Sequence, residues 1–332
     1  MLSEHTLCQF GIALQDEYSH PFSADHSDWN ESYFFDWYTE DGSAAGHCRI
    51  GWHPVQQRIL FWLHLWDGKD WLVIEESRLP FAAMSLGDES VFHYEQWGLR
   101  FSYDCQTPLQ AGKLKVDGFA RVAHGPRLGM VLPVSIALDV NALGAAYSRG
   151  GGSVDSHSAQ GFSTNRYEQP IQAEGQMIID EITTPLSVRG ERDHSWGPRP
   201  WDMQWQFFVV NNANFSLQAT QVEIPEWPLI QIGYFHALGQ EMEHLSETKF
   251  ELTIDANNPF APVHGNFTLQ CESGRSLSGK IESIAGSEID ITHAFTPVKR
   301  TEYRRALVRC TFDTGETSMG WLEYNRAAFS SN

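Results

Sequence analysis

From Tyr33 to Tyr324 the chain is a succession of short runs rich in aromatic and β-branched residues, each closed by Gly, Asp, Asn or Pro, and no segment sustains helical periodicity. That rhythm excludes helical and alternating α/β folds and predicts antiparallel all-β structure. Strands are expected over residues 32–38, 47–52, 58–66, 71–76, 91–94, 98–104, 113–123 and 167–179, with the apolar stretch 126–140 as a further one. Asp67-Gly68-Lys69-Asp70 is a clear hairpin turn between two of them. Residues 142–147 read as a short helical turn, and 148–163, rich in Gly, Ser and His, as a long loop serving as lid or spacer. The rhythm resumes over 205–211, 214–224, 229–238, 241–254, 265–271, 277–283, 306–313 and 318–324. Two consecutive closed sheets, residues 1–185 and 186–332, account for length and rhythm together, because closure removes exposed edges.

Composition narrows the partners. A net charge of -19 disfavours nucleic acid and anionic membrane surfaces, which attract basic proteins. An aromatic share of 13%, with 12 Trp and 20 Phe, favours a hydrophobic small molecule instead. The most apolar run, 130–146, is interrupted by Pro133 and Asp139 and is too short to span a bilayer, so no integral membrane segment is expected. The opening residues carry acids where a secretion signal needs basic ones. Cys8, Cys48, Cys105, Cys271 and Cys310 form neither a metal motif nor a disulfide framework, which predicts reduced thiols and a cytoplasmic location.

The stretch 190–201, GERDHSWGPRPW, concentrates two guanidinium groups, a carboxylate, an imidazole, a hydroxyl and two indoles between Gly and Pro. Buried polar groups need partners, so this density predicts either a strand end aimed into a wet-to-apolar cavity or a polar network that staples strands together. Asp193 is expected to orient His194 or to pair with Arg192 or Arg199, with Trp196 and Trp201 as an apolar wall.

The phrase Arg192-Asp193-His194-Ser195-Trp196-Gly197, with Arg166-Tyr167-Glu168-Gln169 before it and Trp29-Asn30-Glu31-Ser32-Tyr33-Phe34 near the start, resembles the AttH-like and carotenoid 1,2-hydratase superfamily. The resemblance implies two lipocalin-like antiparallel β-barrels, a double calycin, and action on hydrophobic molecules: hydration of isoprenoid double bonds or, in distant relatives, polyene cyclisation. In the hydratases the phrase reads His-Asp-His-Asn-Trp-Gly. Here Arg192 replaces the first His and Ser195 the Asn, so Arg192 either holds Asp193 or binds a polar head group, since arginine does not release a proton at neutral pH.

Hydrating an alkene requires an acid, a surface that stabilises developing positive charge and a base that guides water. A desolvated carboxyl supplies the first, which nominates Asp193 and then Glu223. Indole faces at Trp196, Trp201 or Trp205 supply the second, and His194 the third. Tyr167, and Tyr234 with His236 on one strand face, are expected to line the cavity or to pack structurally beside it. The histidines show no metal-ligand spacing, so neither metal nor other cofactor is expected. The reading is a cofactor-independent hydratase or lyase acting on a C=C bond of a terpenoid- or steroid-like substrate. A non-catalytic carrier and a carbocation cyclase or isomerase of the same fold are its alternatives.

Overall fold

The computed structural model describes residues 1–82, 91–149, 165–198, 203–224, 226, 228–254, 263–289 and 301–327. It divides into two compact units, Met1–Thr39 with Ser43–Pro200, and Glu40–Gly42 with Trp201–Asn332.

In the first unit the strands are β1 (Trp29–Tyr38), β2 (Ala45–His53), β3 (Arg58–Trp66), β4 (Trp71–Pro80), β5 (Val91–Gln96), β6 (Leu99–Thr107), β7 (Ala111–His124), β8 (Val131–Ala142), β9 (Asn165–Ile179) and β10 (Ile182–Pro198). They form one antiparallel sheet in the order β4-β3-β2-β1-β10-β9-β8-β7-β6-β5. The far end of β7 also pairs with β4, through Leu72↔Val122 and Val73↔Arg121, which closes a ring and leaves the β5–β6 hairpin as a flap on it. Inward residues of alternating strands, such as Leu114, Val116, Ile136 and Leu138, fill the ring. The strands β1 and β2 are buried on both faces, so their outward polar groups need partners within the sheet. Asp36 shows how this is met: its carboxylate accepts from the Glu191 amide at 2.7 Å.

The N-terminal residues cap this unit with a single helical turn at Glu4–Leu7 and a 3-10 turn at Leu14–Glu17. Leu7 and Ile12 pack there against Leu109, Ala146, Tyr167 and Trp196. Residues 142–147 form no helical turn; Tyr147 makes a β-bridge to Glu168, held by amide–carbonyl hydrogen bonds in both directions. The expected loop at 148–163 lies almost wholly outside the described residues.

The second unit is a closed antiparallel barrel of β11 (Gln204–Asn211), β12 (Phe215–Glu223), β13 (Ile230–Ala237), β14 (Glu243–Ile254), β15 (Val263–Cys271), β16 (Ser276–Glu288), β17 (Thr301–Phe312) and β18 (Thr317–Ala327). Its core is aromatic, with Phe208, Phe215, Phe235, Phe267 and Phe312 among the residues packed together. The boundary expected at 185/186 falls inside β10, and the units divide at Pro200 and Trp201 instead. The reason is that β10 is one continuous strand of 17 residues, paired with β9 along one side and β1 along the other.

Candidate functional site

Strand alternation organises the region around His194. On β10, Arg192, His194 and Trp196 point to one face, and Asp193 and Ser195 to the other. Register then selects the neighbours: Tyr33 of β1 and Tyr167 of β9 lie directly opposite His194, Glu31 lies opposite Trp196, and Gln169 opposite Arg192. The Tyr33 ring stacks on the imidazole at 4.1 Å, and the Tyr167 ring meets it edge-on at 5.8 Å.

The carboxylate that meets His194 is Glu31, with its Oε1 2.9 Å from Nε2. The other ring nitrogen, Nδ1, lies 2.8 Å from the backbone carbonyl oxygen of Asp16. A carbonyl only accepts, so Nδ1 is the donor to Asp16. Glu31 also receives His20: the backbone N–H donates to Oε2 at 2.9 Å, and the ring Nδ1 is 3.0 Å from Oε1. Burial alone would raise the Glu31 carboxyl, but hydrogen bonds and charge from His194 and His20 outweigh it and hold it below the ordinary range. For His20, burial favours the neutral ring, yet Asp16 and Glu31 prevail and raise its pKa. The His20 ring lies flat on Trp196, 3.8 Å between centroids at 3°. Glu31 and His194 are 3% and 1% exposed at their side chains, whereas His20 keeps 18%. His20 is therefore the most accessible of these three side chains.

Arg192 anchors the capping segment beneath this cluster. It makes five hydrogen bonds: two to Glu17 at 2.6 and 2.7 Å, two to Gln169 at 2.9 and 2.7 Å, and one to Tyr103 at 2.8 Å. Burial would raise the Glu17 carboxyl, but Arg192 and the Leu109 amide hold it low. These bonds match the five donors of a guanidinium, so Arg192 has none to spare for a substrate head group, nor does it hold Asp193. The Asp16 carbonyl, next to Glu17, is thereby fixed against His194.

Several expected site residues lie elsewhere. Asp193 points away from His194 and pairs with Arg166 at 2.9 Å, and Arg166 also binds Glu168. Consecutive residues of a regular strand cannot share a cavity, which is the physical reason the Asp193–His194 pair fails. Tyr167 packs on His194 without donating; its buried hydroxyl has no hydrogen-bond partner among the described residues. Trp201, like Arg199, lies outside the described residues. The remaining four belong to the second unit. Trp205 is buried on the face opposite Phe208 and donates to Glu323 at 2.6 Å. Tyr234 and His236 flank Phe235 and point away from the barrel core that Phe235 enters; the His236 ring nitrogen Nε2 is 3.1 Å from the Gln240 carbonyl oxygen. Glu223 is exposed and lines a cleft at one end of this barrel.

Glu31, His20, Asp16 and Glu17 are absent from the expected set. Glu31 alone had a signal, through its place in the Trp29–Phe34 phrase and its parity with Tyr33. His20, Glu31 and His194 each present a ligand atom within 4.8 Å of the others, a donor set of the kind zinc accepts. Their mutual hydrogen bonds satisfy the same atoms without an ion.

Comparison with known folds agrees with the double all-β architecture. The chain is similar to an AttH protein of Nitrosomonas europaea (TM-score 0.60, 14% identity, covering 93% of this chain and 95% of that one). It is also similar to kievitone hydratase of Nectria haematococca (0.55, 10%, 97% and 95%) and to CghA in complex with Sch210972 (0.54, 10%, 95% and 96%). These neighbours form the AttH-like group that the central phrase resembles, and at such identities the likeness is one of fold. No curated protein matches the chain in sequence. Residues 13–328 match the sequence profile of DUF7064, a domain of unknown function, and the chain belongs to that family.

Proposed function

We propose that this chain is a hydratase or lyase that adds water to, or removes it from, a C=C bond of a hydrophobic, isoprenoid-like small molecule by acid–base chemistry, without a cofactor. The observation that carries the reading is a buried carboxylate, Glu31, shared by two imidazoles, of which His20 alone keeps an accessible edge beside an indole. Paired acid and base groups with opposed pKa displacements mark a site built for proton transfer. In this reading the His20 imidazolium delivers the proton, Glu31 stabilises it before transfer, and Trp196 stacks behind the ring. His194, pinned at both nitrogens, holds Glu31 in place.

The charge states narrow the substrate. Glu31 is held ionised, so the available acid is an imidazolium and not a protonated carboxyl. An imidazolium is too weak an acid to protonate an isolated alkene, so the bond acted on is polarised by conjugation to a carbonyl or similar group. The AttH-like fold, shared with a named hydratase, supports the reaction class. Five free cysteines, four of them buried, support a reducing compartment such as the cytoplasm. Among the described residues no helix is long and apolar enough to cross a membrane.

The test is incubation with a panel of enone-bearing terpenoids and steroids in heavy-oxygen water, read by mass spectrometry. Label incorporation that disappears in both Glu31→Gln and His20→Gln is expected. Tight binding of panel members with no chemical change in the wild type would replace the reading with that of a carrier.

A further inference from the structure

The second unit carries a cavity of its own, built by strand alternation from that barrel alone. Its apolar core ends at Phe208 on β11, Ala219 on β12 and Leu322 on β18. The next inward positions toward one end are Gln206, Gln221 and Tyr324, followed on β18 by Arg326, while Phe250, Leu252 and Ile254 of β14 supply the apolar part of the opposite wall, which Glu251, paired with Lys249, and Thr253 also line. Together they line a cleft of about 400 Å³, within the roughly 300–1,000 Å³ typical of small-molecule sites.

Besides Asn325 Oδ1 on the outward face of β18, two inward-facing polar atoms of the lining have no hydrogen-bond partner among the described residues: the Tyr324 hydroxyl and Gln206 Oε1. They are adjacent across the β11–β18 register, and Tyr324 is only 3% exposed. A buried polar atom without a partner is costly, and the few that occur call for an explanation such as a ligand. Burial pushes the Tyr324 phenol up to about 12, so it stays a neutral donor. The Arg326 guanidinium lies 5.7 Å from the Tyr324 ring centroid and pairs with no carboxylate among the described residues. Arg304, whose charge also bears on Tyr324, is already bound to Glu302 and Glu288. Glu223 stands on β12, two strands from Arg326, and disfavours negative charge on its own side of the mouth.

We infer that this cleft binds an amphipathic organic acid, its carboxylate at Arg326 and the Tyr324 hydroxyl, and its hydrocarbon body along Phe250, Leu252 and Ile254. Gln206 Oε1 accepts from a hydroxyl or amide N–H where the ligand carries one. The inference stands apart from the His194 cluster, since every residue it uses belongs to the second unit.

Titration calorimetry of the full chain with dodecanoate, dodecanol and dodecylamine tests it. Dodecanoate is expected to bind at least about tenfold tighter than dodecanol, and dodecylamine more weakly still, because charge-assisted bonds to guanidinium are the strong ones. Arg326→Gln should weaken dodecanoate about tenfold or more and Tyr324→Phe several-fold. Both variants should retain the wild-type circular dichroism spectrum, because the first removes an exposed charge and the second a hydroxyl with no partner. His194→Ala should bind dodecanoate as the wild type does, which separates this outcome from the fate of the proposed reaction. Absence of dodecanoate binding, equal affinity for the alcohol, or affinity unchanged in both cleft variants would overturn the inference.

Discussion

Replacing Glu17 by Gln tests whether a buried ion pair holds the capping segment over the site. In the wild type Glu17 is 0% exposed and receives both terminal nitrogens of Arg192, which is 4% exposed. The substitution preserves shape and one acceptor but strands the guanidinium with Gln169 and Tyr103 as neutral partners. Removing one member of a buried pair typically costs about 3–5 kcal/mol, and the surviving amide oxygen places this case near about 3 kcal/mol. Removing both charges, with Arg192→Met added, leaves no buried charge uncompensated, although Gln169 Oε1 and the Tyr103 hydroxyl lose the hydrogen bonds they accept from Arg192. The double variant should therefore be more stable than the sum of the singles implies, by about 2 kcal/mol or more. Hydrogen exchange at the β1 and β10 amides, against denaturant, reads the first unit without assuming that both units unfold together.

The pH dependence gives a second readout. The Glu17 pKa is lower folded than unfolded, so its contribution is present above about 4.3 and fades as pH falls toward the folded value. Glu17→Gln should flatten that acid limb. Additive costs in the cycle, or a Glu17→Gln penalty below about 1 kcal/mol, would refute the argument. Because the neighbouring Asp16 carbonyl positions His194, the same variant should also lose turnover.

Turnover should fall as pH rises through the elevated pKa of His20, above the ordinary value of about 6.5, and the stability that His20 draws from Glu31 and Asp16 should be lost over the same interval; a rate profile and a melting series from pH 5 to 9 check both. Asp193→Asn should reduce turnover less than about tenfold, because its side chain faces Arg166, whereas Glu31→Gln should reduce it by about 100-fold or more, a contrast that steady-state kinetics resolves. Gly190→Ala should destabilise the first unit by about 2 kcal/mol or more in the same exchange measurement, since a Cβ there would sit 1.9 Å from the Asp36 carbonyl oxygen and the β1–β10 pairing would have to open.

The sequence by itself determined that the chain is all-β and built from two consecutive units, because period-two alternation and turn residues are local properties, readable without any partner strand. The phrase 192–197 also carries His194 and Trp196 to one face of β10. Parity alone already separates Asp193 from His194, and reading the phrase as a cluster instead of a strand obscured that. Only the tertiary structure decided the partners. Glu31 reaches His194 across 163 positions of sequence and Glu17 reaches Arg192 across 175, each through strand register and chain capping that no local pattern encodes. The capping segment looks unremarkable in isolation, yet it supplies Asp16, Glu17 and His20, because a buried arginine and a buried Glu31–His194 pair require compensating groups from whichever part of the chain closes over them.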